Sequence, residues 1–212
     1  MASSPEQLNS DQALQRLASY LQRPGRRIIG LVGPPGAGKS TLSARIVAHF
    51  GAQAQVVPMD GFHLAQSELE RLGRSGRKGA PDTFDAWGYV ALLQRLRRQA
   101  SDEVVYAPEY RRTLEEPIAG AIPIAPDTRL LIAEGNYLGL DSGAWGHIVP
   151  LLDELWYVAV DDALRRQRLT ARHVQFGRTP EEAARWVEVT DEPNARLIAG
   201  TRARAQCVVR LD

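Results

Sequence analysis

Apolar residues along this chain fall into two rhythms, short unbroken runs and stretches that return every three or four positions. "RRIIGLVG", "AQVVPM", "LLIAEG", "ELWYVAV" and "AQCVVRL" are runs of the first kind and predict strands buried on both faces. "KSTLSARIVAHFG" places Leu42, Ile46 and Phe50 at four-residue spacing before Gly51, which predicts a helix and its stop. "DAWGYVALLQRLRR" predicts a second helix through Tyr89, Leu92, Leu93 and Leu96. The Arg-rich "DDALRRQRLTARHVQF" predicts a third with Asp161 as cap, and "TPEE" at 179–182 a capping box with Pro180 in first position. At the start, "SPEQ" at 4–7 has the same form and predicts a helix carrying Leu14, Leu17 and Leu21, with "NSD" at 9–11 as a second place for it to begin. Residues 66–82 are polar and glycine-containing, as in an exposed loop or lid. Residues 104–124 read as a hairpin beside the main sheet, and a short helix is expected near Trp145.

Strands alternating with helices predict a three-layer α/β fold, a mainly parallel central sheet with helices on both faces and a small lid and hairpin insertion. With 212 residues and no repeat or low-complexity linker, one domain over 1–212 is expected. Its parts would be an N-terminal helix within 1–25, an acceptor-side insertion at 61–125 and a lid at 161–182.

Composition narrows the classes. Hydrophobic content of 44% and charged content of 24% suit a globular protein. No run approaches the length needed to span a bilayer, and "MASSPEQLNS" lacks the basic end and apolar stretch of a secretory signal. Cys207 is the single cysteine and reads as a small buried strand residue. A cytoplasmic protein without membrane partners is expected. A net charge of +1 gives no general attraction to nucleic acid. Among the 26 basic residues only Lys39 and Lys78 are lysine.

Lys39 belongs to "GPPGAGKS", Gly33–Ser40, which fits the phosphate-loop pattern G-x-x-x-x-G-K-[ST] between a strand and a helix. Gly33, Pro34, Pro35, Gly36, Ala37, Gly38 and Thr41 would wrap a triphosphate at a helix N-terminus, the glycines letting backbone N–H groups turn inward. Lys39 would reach its β- and γ-oxygens as a compact charge, and Ser40 would ligate Mg²⁺. No Asn precedes either lysine, so the guanine-reading N-K-x-D run is missing and ATP is the expected nucleotide.

Two acids end buried runs, Asp60 in "VVPMDGFH" and Glu134 in "LLIAEG". Ligands of open parallel sheets collect at the carboxyl ends of strands. There Asp60 would orient a hydroxyl for attack on the γ-phosphate, and Glu134 would hold magnesium. Each could instead cap a helix or close a turn. Arg165, Arg168 and Arg172 share one helical face, either a solvated basic face or one that covers the phosphates.

"GPPGAGKSTL", "PMDGFH", "RKGAPDTFD" and "LIAEGNYL" together resemble the uridine kinase, pantothenate kinase and phosphoribulokinase group of P-loop kinases. The likeness covers roughly residues 26–200 and is nearest to short bacterial nucleoside/nucleotide or fructose-transport kinases. It implies a P-loop NTPase fold, ATP and Mg²⁺ as cofactors, Asp60 as base and Glu134 in the magnesium site, and it favours Arg168 and Arg172 as lid arginines over the phosphates. A homodimer is compatible with it. It also implies that segment 77–85 and the tyrosines near 106–110 border the acceptor. His63, Arg77, Lys78, Phe84, Tyr106, Tyr110, Arg111, Asn136 and Tyr137 are the candidate acceptor residues. His49, His147 and His173 carry no pattern.

Gly79 stands where uridine kinases place an additional Asp, and no His follows Tyr106 where they contact the pyrimidine. Arg77-Lys78-Gly79 follows the pantothenate kinase pattern instead. Basic residues at 77–78 and 111–112 would suit an acceptor bearing a carboxylate or phosphate. The expected activity is phosphorylation of a hydroxyl on a small metabolite, a sugar, a pantothenate-like acid, glycerate or a nucleoside. A nucleotide-dependent regulatory ATPase is the alternative from another class.

Overall fold

The structure, a computed structural model, describes residues 4–211. Strands β1 (Glu6–Asn9), β2 (Arg27–Val32), β3 (Ala54–Pro58), β6 (Leu130–Glu134), β7 (Glu154–Ala159) and β8 (Cys207–Arg210) form one six-stranded sheet. Their order is β1-β8-β7-β2-β6-β3, with every neighbouring pair parallel. A separate antiparallel hairpin joins β4 (Val105–Arg111) to β5 (Glu116–Ile124).

Period-two alternation splits each central strand between two cores. In β2, Ile29 and Leu31 face the layer of α1 (Ser10–Leu21) and α2 (Lys39–Phe50), meeting Leu14, Leu17, Leu42 and Ile46. Ile28 and Val32 face the opposite layer, where α4 (Ala86–Arg97) contributes Tyr89, Leu93 and Leu96, and α7 (Glu192–Ala199) contributes Ile198. Cys207 lies fully buried in β8. The three-layer α/β fold is therefore as the alternating pattern predicts. No described helix is long and apolar enough to cross a membrane.

The N-terminus corrects one expectation. Ser4 and Pro5 do not open a helix. Residues 6–9 pair as an edge strand with β8, and the helix starts at Ser10. Asn9 and Gln12 make the capping box, Asn9 Oδ1 accepting from the Gln12 backbone and Gln12 Oε1 from that of Asn9, both at 2.9 Å. Segment 66–82 is partly ordered into α3 (Gln66–Arg71) and short 3₁₀ turns, and the helix near Trp145 is a 3₁₀ turn, Gly143–His147. Beyond β7, α5 (Asp162–Gln175) and α6 (Pro180–Trp186) open on the Asp161 cap and the Thr179–Glu182 capping box that their sequences predict. A π-helical turn, Val187–Asp191, leads into α7.

The hairpin is anchored over the turn that follows β3. A Cβ on Gly61 would come within 2.2 Å of the Pro108 carbonyl oxygen, so the β4 backbone seats directly on this glycine. Gly61→Ala is expected to destabilise the protein by about 1–3 kcal/mol, since backbone rather than a flexible side chain must yield. Denaturant unfolding measures this, and an unchanged midpoint would show that the hairpin is loosely seated.

Candidate active site

β2 runs into the loop Gly33–Gly38, and α2 begins at Lys39. Gly36 and Gly38 hold φ of +79° and +95°, the left-handed backbone that turns successive N–H groups inward. Pro35, Gly36, Gly38, Ser40 and Thr41 line a cleft of about 650 Å³ at the carboxyl end of the sheet. Gly33 and Pro34 contribute their carbonyls behind it, accepting from Lys39 Nζ at 2.8 and 3.2 Å. Ala37 packs into the core beneath the loop.

Lys39 is buried, and its Nζ also donates to Asn136 Oδ1 at 2.6 Å. Burial brings its pKa down to about 8; Glu134 and Asp60 pull upward and Arg172 adds to the decrease. Glu134 closes β6, paired in register with Pro58 of β3. Its two oxygens accept from Ser40 Oγ and Ser43 Oγ, each at 2.6 Å. Ser43 was not among the candidates. Its signal is helical spacing, three residues after Ser40 on the face of α2 turned to β6.

Asp60 lies two residues beyond Pro58, in the 3₁₀ turn Met59–Phe62, and lines the same cleft. Tyr89 steadies the end of β3 by donating to the Val57 carbonyl at 2.9 Å. Among the described residues the Asp60 carboxylate makes no hydrogen bond and no ion pair, while its backbone carbonyl faces His63 Nδ1 at 2.8 Å. The His63 ring lies 4.0 Å from that of Phe84 and 4.6 Å from that of Tyr110, giving an aromatic wall beside Asp60. Burial disfavours the charged form of His63, opposed by Asp60 and reinforced by Lys78 and Arg112. Burial raises the Tyr110 hydroxyl to about 12.

Not every candidate reaches the cleft. A bulge between Ala107 and Glu109 reverses the phase of β4, so Tyr110 turns inward whereas Tyr106 is 55% exposed. Alternation then sends Arg111 outward, 3.5 Å from Glu109, and Arg112 into the cleft. Arg77 lies at the surface, paired with Asp82 at 2.5 Å. Tyr137 is buried beneath the loop that carries Lys78 and donates its hydroxyl to the Gly79 carbonyl, propping the backbone there. Asn136 does line the cleft, and its Oδ1 accepts from Lys39 Nζ at 2.6 Å.

Helix α5 divides its arginines. Arg165 is buried and shares Glu192 with Arg166, at 2.5 and 2.8 Å, which moors the helix to α7. Arg168 and Arg172 face the cleft, without an ion pair among the described residues. Burial lowers the Arg172 pKa, and neighbouring Arg112 lowers it further. His173 also lines the cleft, 2.8 Å from Asp191, and the Arg178 guanidinium stacks 3.9 Å from the centre of the Trp186 ring. No motif marked those four, because the π-helical turn that presents Asp191 has no spacing signature.

The fold, the glycine-bent loop and the lysine behind it define a P-loop kinase. The sequence profile of the Phosphoribulokinase / Uridine kinase family matches residues 28–210, and the chain belongs to that family. It is an ATP-dependent kinase. A Schizosaccharomyces pombe protein named "Putative uridine kinase C227.14" is 34% identical over 206 residues, covering 92% of this chain and 87% of the relative. The "ATP-dependent kinase-like protein notR'" of Aspergillus versicolor is 36% identical over 159 residues, 71% of this chain and 92% of its own. A crystal structure described as a "putative fructose transport system kinase", from Silicibacter sp. TM1040, superposes with a TM-score of 0.86 at 37% identity, covering 95% of this chain and 98% of the other.

Proposed function

We propose that the protein transfers the γ-phosphoryl group of ATP to a hydroxyl of a small metabolite, with Asp60 as the base. One observation carries this reading: the Asp60 carboxylate stands unpaired in the cleft that Lys39 lines. A carboxylate serving only the turn would cap a backbone N–H, and this one caps none among the described residues. It is free to accept a hydrogen bond from an incoming hydroxyl.

The hydroxyl oxygen forms a bond to the γ-phosphorus as the bond from that phosphorus to the β,γ-bridging oxygen breaks. The hydroxyl proton passes to Asp60, and the bond's electron pair leaves on the β-phosphate of ADP. Lys39, Arg168 and Arg172 supply the positive charge that meets the transferring group. Among the described residues no cluster of three or more metal-binding His, Cys, Asp or Glu side chains exists. Mg²⁺ with a nucleotide does not need one, since it takes few protein oxygens and completes its shell with phosphates and water. The Ser40 hydroxyl and Glu134 carboxylate, 2.6 Å apart, are suitable oxygen donors. Bound there, the ion would neutralise phosphate charge.

ATP turnover against a panel of sugars, sugar acids, hydroxy acids and nucleosides, with products identified by mass, tests the proposal. A phosphorylated acceptor is expected. ATP hydrolysis that no hydroxyl compound stimulates would favour the regulatory ATPase. The His63–Phe84–Tyr110 wall keeps a nucleoside within the panel, because such faces also stack on bases.

A further inference from the structure

We infer that the acceptor carries an anionic group, a carboxylate or a phosphate, and that Lys78 and Arg112 hold it on the hairpin side of the cleft. The inference rests on the kinase reading and names the substrate class for that site.

The cleft contains more positive charge than a nucleotide site alone accounts for. Lys39 behind the phosphate loop, with Arg168 and Arg172 on α5, already faces the triphosphate position. Lys78 and Arg112 line the same cleft from other elements. Lys78 follows the 3₁₀ turn Ser75–Arg77, and Arg112 begins the turn between β4 and β5. Both influence the His63 ring, whose Nδ1 is 2.8 Å from the Asp60 carbonyl. Both line the cleft with Asp60, and Lys78 Nζ lies 5.7 Å from the centre of the Tyr110 ring on the wall beside the base.

Neither cation is neutralised. Among the described residues Arg112 makes no side-chain hydrogen bond and no ion pair, and its guanidinium carbon lies 6.0 Å from the centre of the Phe176 ring at the end of α5. Lys78 donates only to the Glu115 carbonyl, at 2.7 Å, leaving two of its three protons available. Buried Arg165 on α5 meets Glu192, whereas Arg112, at the exposed rim of the cleft, and Arg172 have no carboxylate partner among the described residues. Arg112 and Arg172 repel one another, which two anions, one from ATP and one from the acceptor, would relieve.

The local backbone is shaped to present this pair. Glu115 has φ of +53°, a left-handed conformation that a non-glycine residue adopts at a cost. The Lys78 ammonium bonds its carbonyl, and the neighbouring Glu116 carboxylate accepts from the Gln66 backbone at 3.0 Å. These contacts clamp the turn that begins with Arg112 onto the acceptor loop. A turn fixed in this way holds the Arg112 backbone beside the cleft before any ligand arrives.

Two measurements test the subsite. In the first, protein saturated with Mg²⁺ and a non-hydrolysable ATP analogue is titrated with inorganic phosphate and, separately, with malonate, by calorimetry. Filling the triphosphate position excludes binding at Lys39. At least one anion is expected to bind, at least tenfold more weakly in Arg112→Gln and in Lys78→Gln. Phosphate alone would indicate a phosphorylated acceptor, and malonate alone a hydroxy acid. In the second, turnover compares glycerate with glycerol, gluconate with sorbitol, and ribose 5-phosphate with ribose. The anionic member of any productive pair is expected to be preferred, with its KM raised at least tenfold in either variant. The inference is overturned if neither anion binds, if both variants bind like the parent, or if neutral acceptors alone turn over with unchanged KM. Anion binding with no phosphorylated product from any acceptor would instead count against the kinase reading and leave the subsite standing.

Discussion

Asp60→Asn is expected to lower kcat by about 10²–10⁴-fold while ATP binds no more weakly than before. The amide has nearly the same shape as the carboxylate and no side-chain partner is lost, so the 3₁₀ turn and the hairpin above it should persist. Removing a negative charge from a cleft that receives a triphosphate works against any loss of nucleotide affinity. What the variant lacks is an acceptor for the hydroxyl proton. Single-turnover assays separate the chemical step from binding, and thermal unfolding checks the fold. Parental turnover in the Asn variant would remove Asp60 from the base role. A regulatory ATPase would lose little, because its attacking water does not depend on a group aimed at an acceptor.

Lys39→Met is expected to reduce kcat/KM by about 10²–10³-fold, the scale for deleting one preorganised charge at a reacting phosphate. Its pH behaviour is more distinctive. In the free protein burial holds the Lys39 pKa at about 8, and bound phosphates would restore the charged form. ATP binding should then take up a proton above pH 8, and Kd should be about tenfold weaker at pH 9 than at pH 7. The free protein should show the opposite trend. The unfolded chain keeps its lysine protonated to about pH 10.5, so folding stability contributed by this residue increases as pH climbs from about 8 toward that value. Calorimetry in buffers of different ionisation enthalpy counts the proton. A Met variant with the parental pH dependence would assign it to another group.

Much of this was legible in the residues. Central strands buried on both faces have no polar alternation to confuse them, so β2, β6 and β7 stand out as apolar runs, and the phosphate loop is fixed by its glycines. The N-terminal strand is harder. It has four residues at a sheet edge and one buried side chain, Leu8, so its partner β8, two hundred residues away, decides its conformation. The aromatic wall beside Asp60 was hidden for a different reason. Strand parity would put Tyr106 and Tyr110 on one face, and only the bulge near Pro108 separates them and exchanges Arg111 for Arg112. A bulge depends on what packs beneath the strand, here Gly61, and nothing in β4 itself announces that contact.

The burial of Cys207 in β8 has a practical side. Its thiol is fully enclosed, and burial takes its pKa up to about 11, so almost no thiolate exists near neutral pH. It is also the only cysteine in the chain. The molecule therefore presents a silent background to thiol-reactive reporters. A cysteine placed at an exposed site such as Leu164, on α5, would carry a fluorophore or spin label alone. The surroundings of that position could then be followed as nucleotide binds.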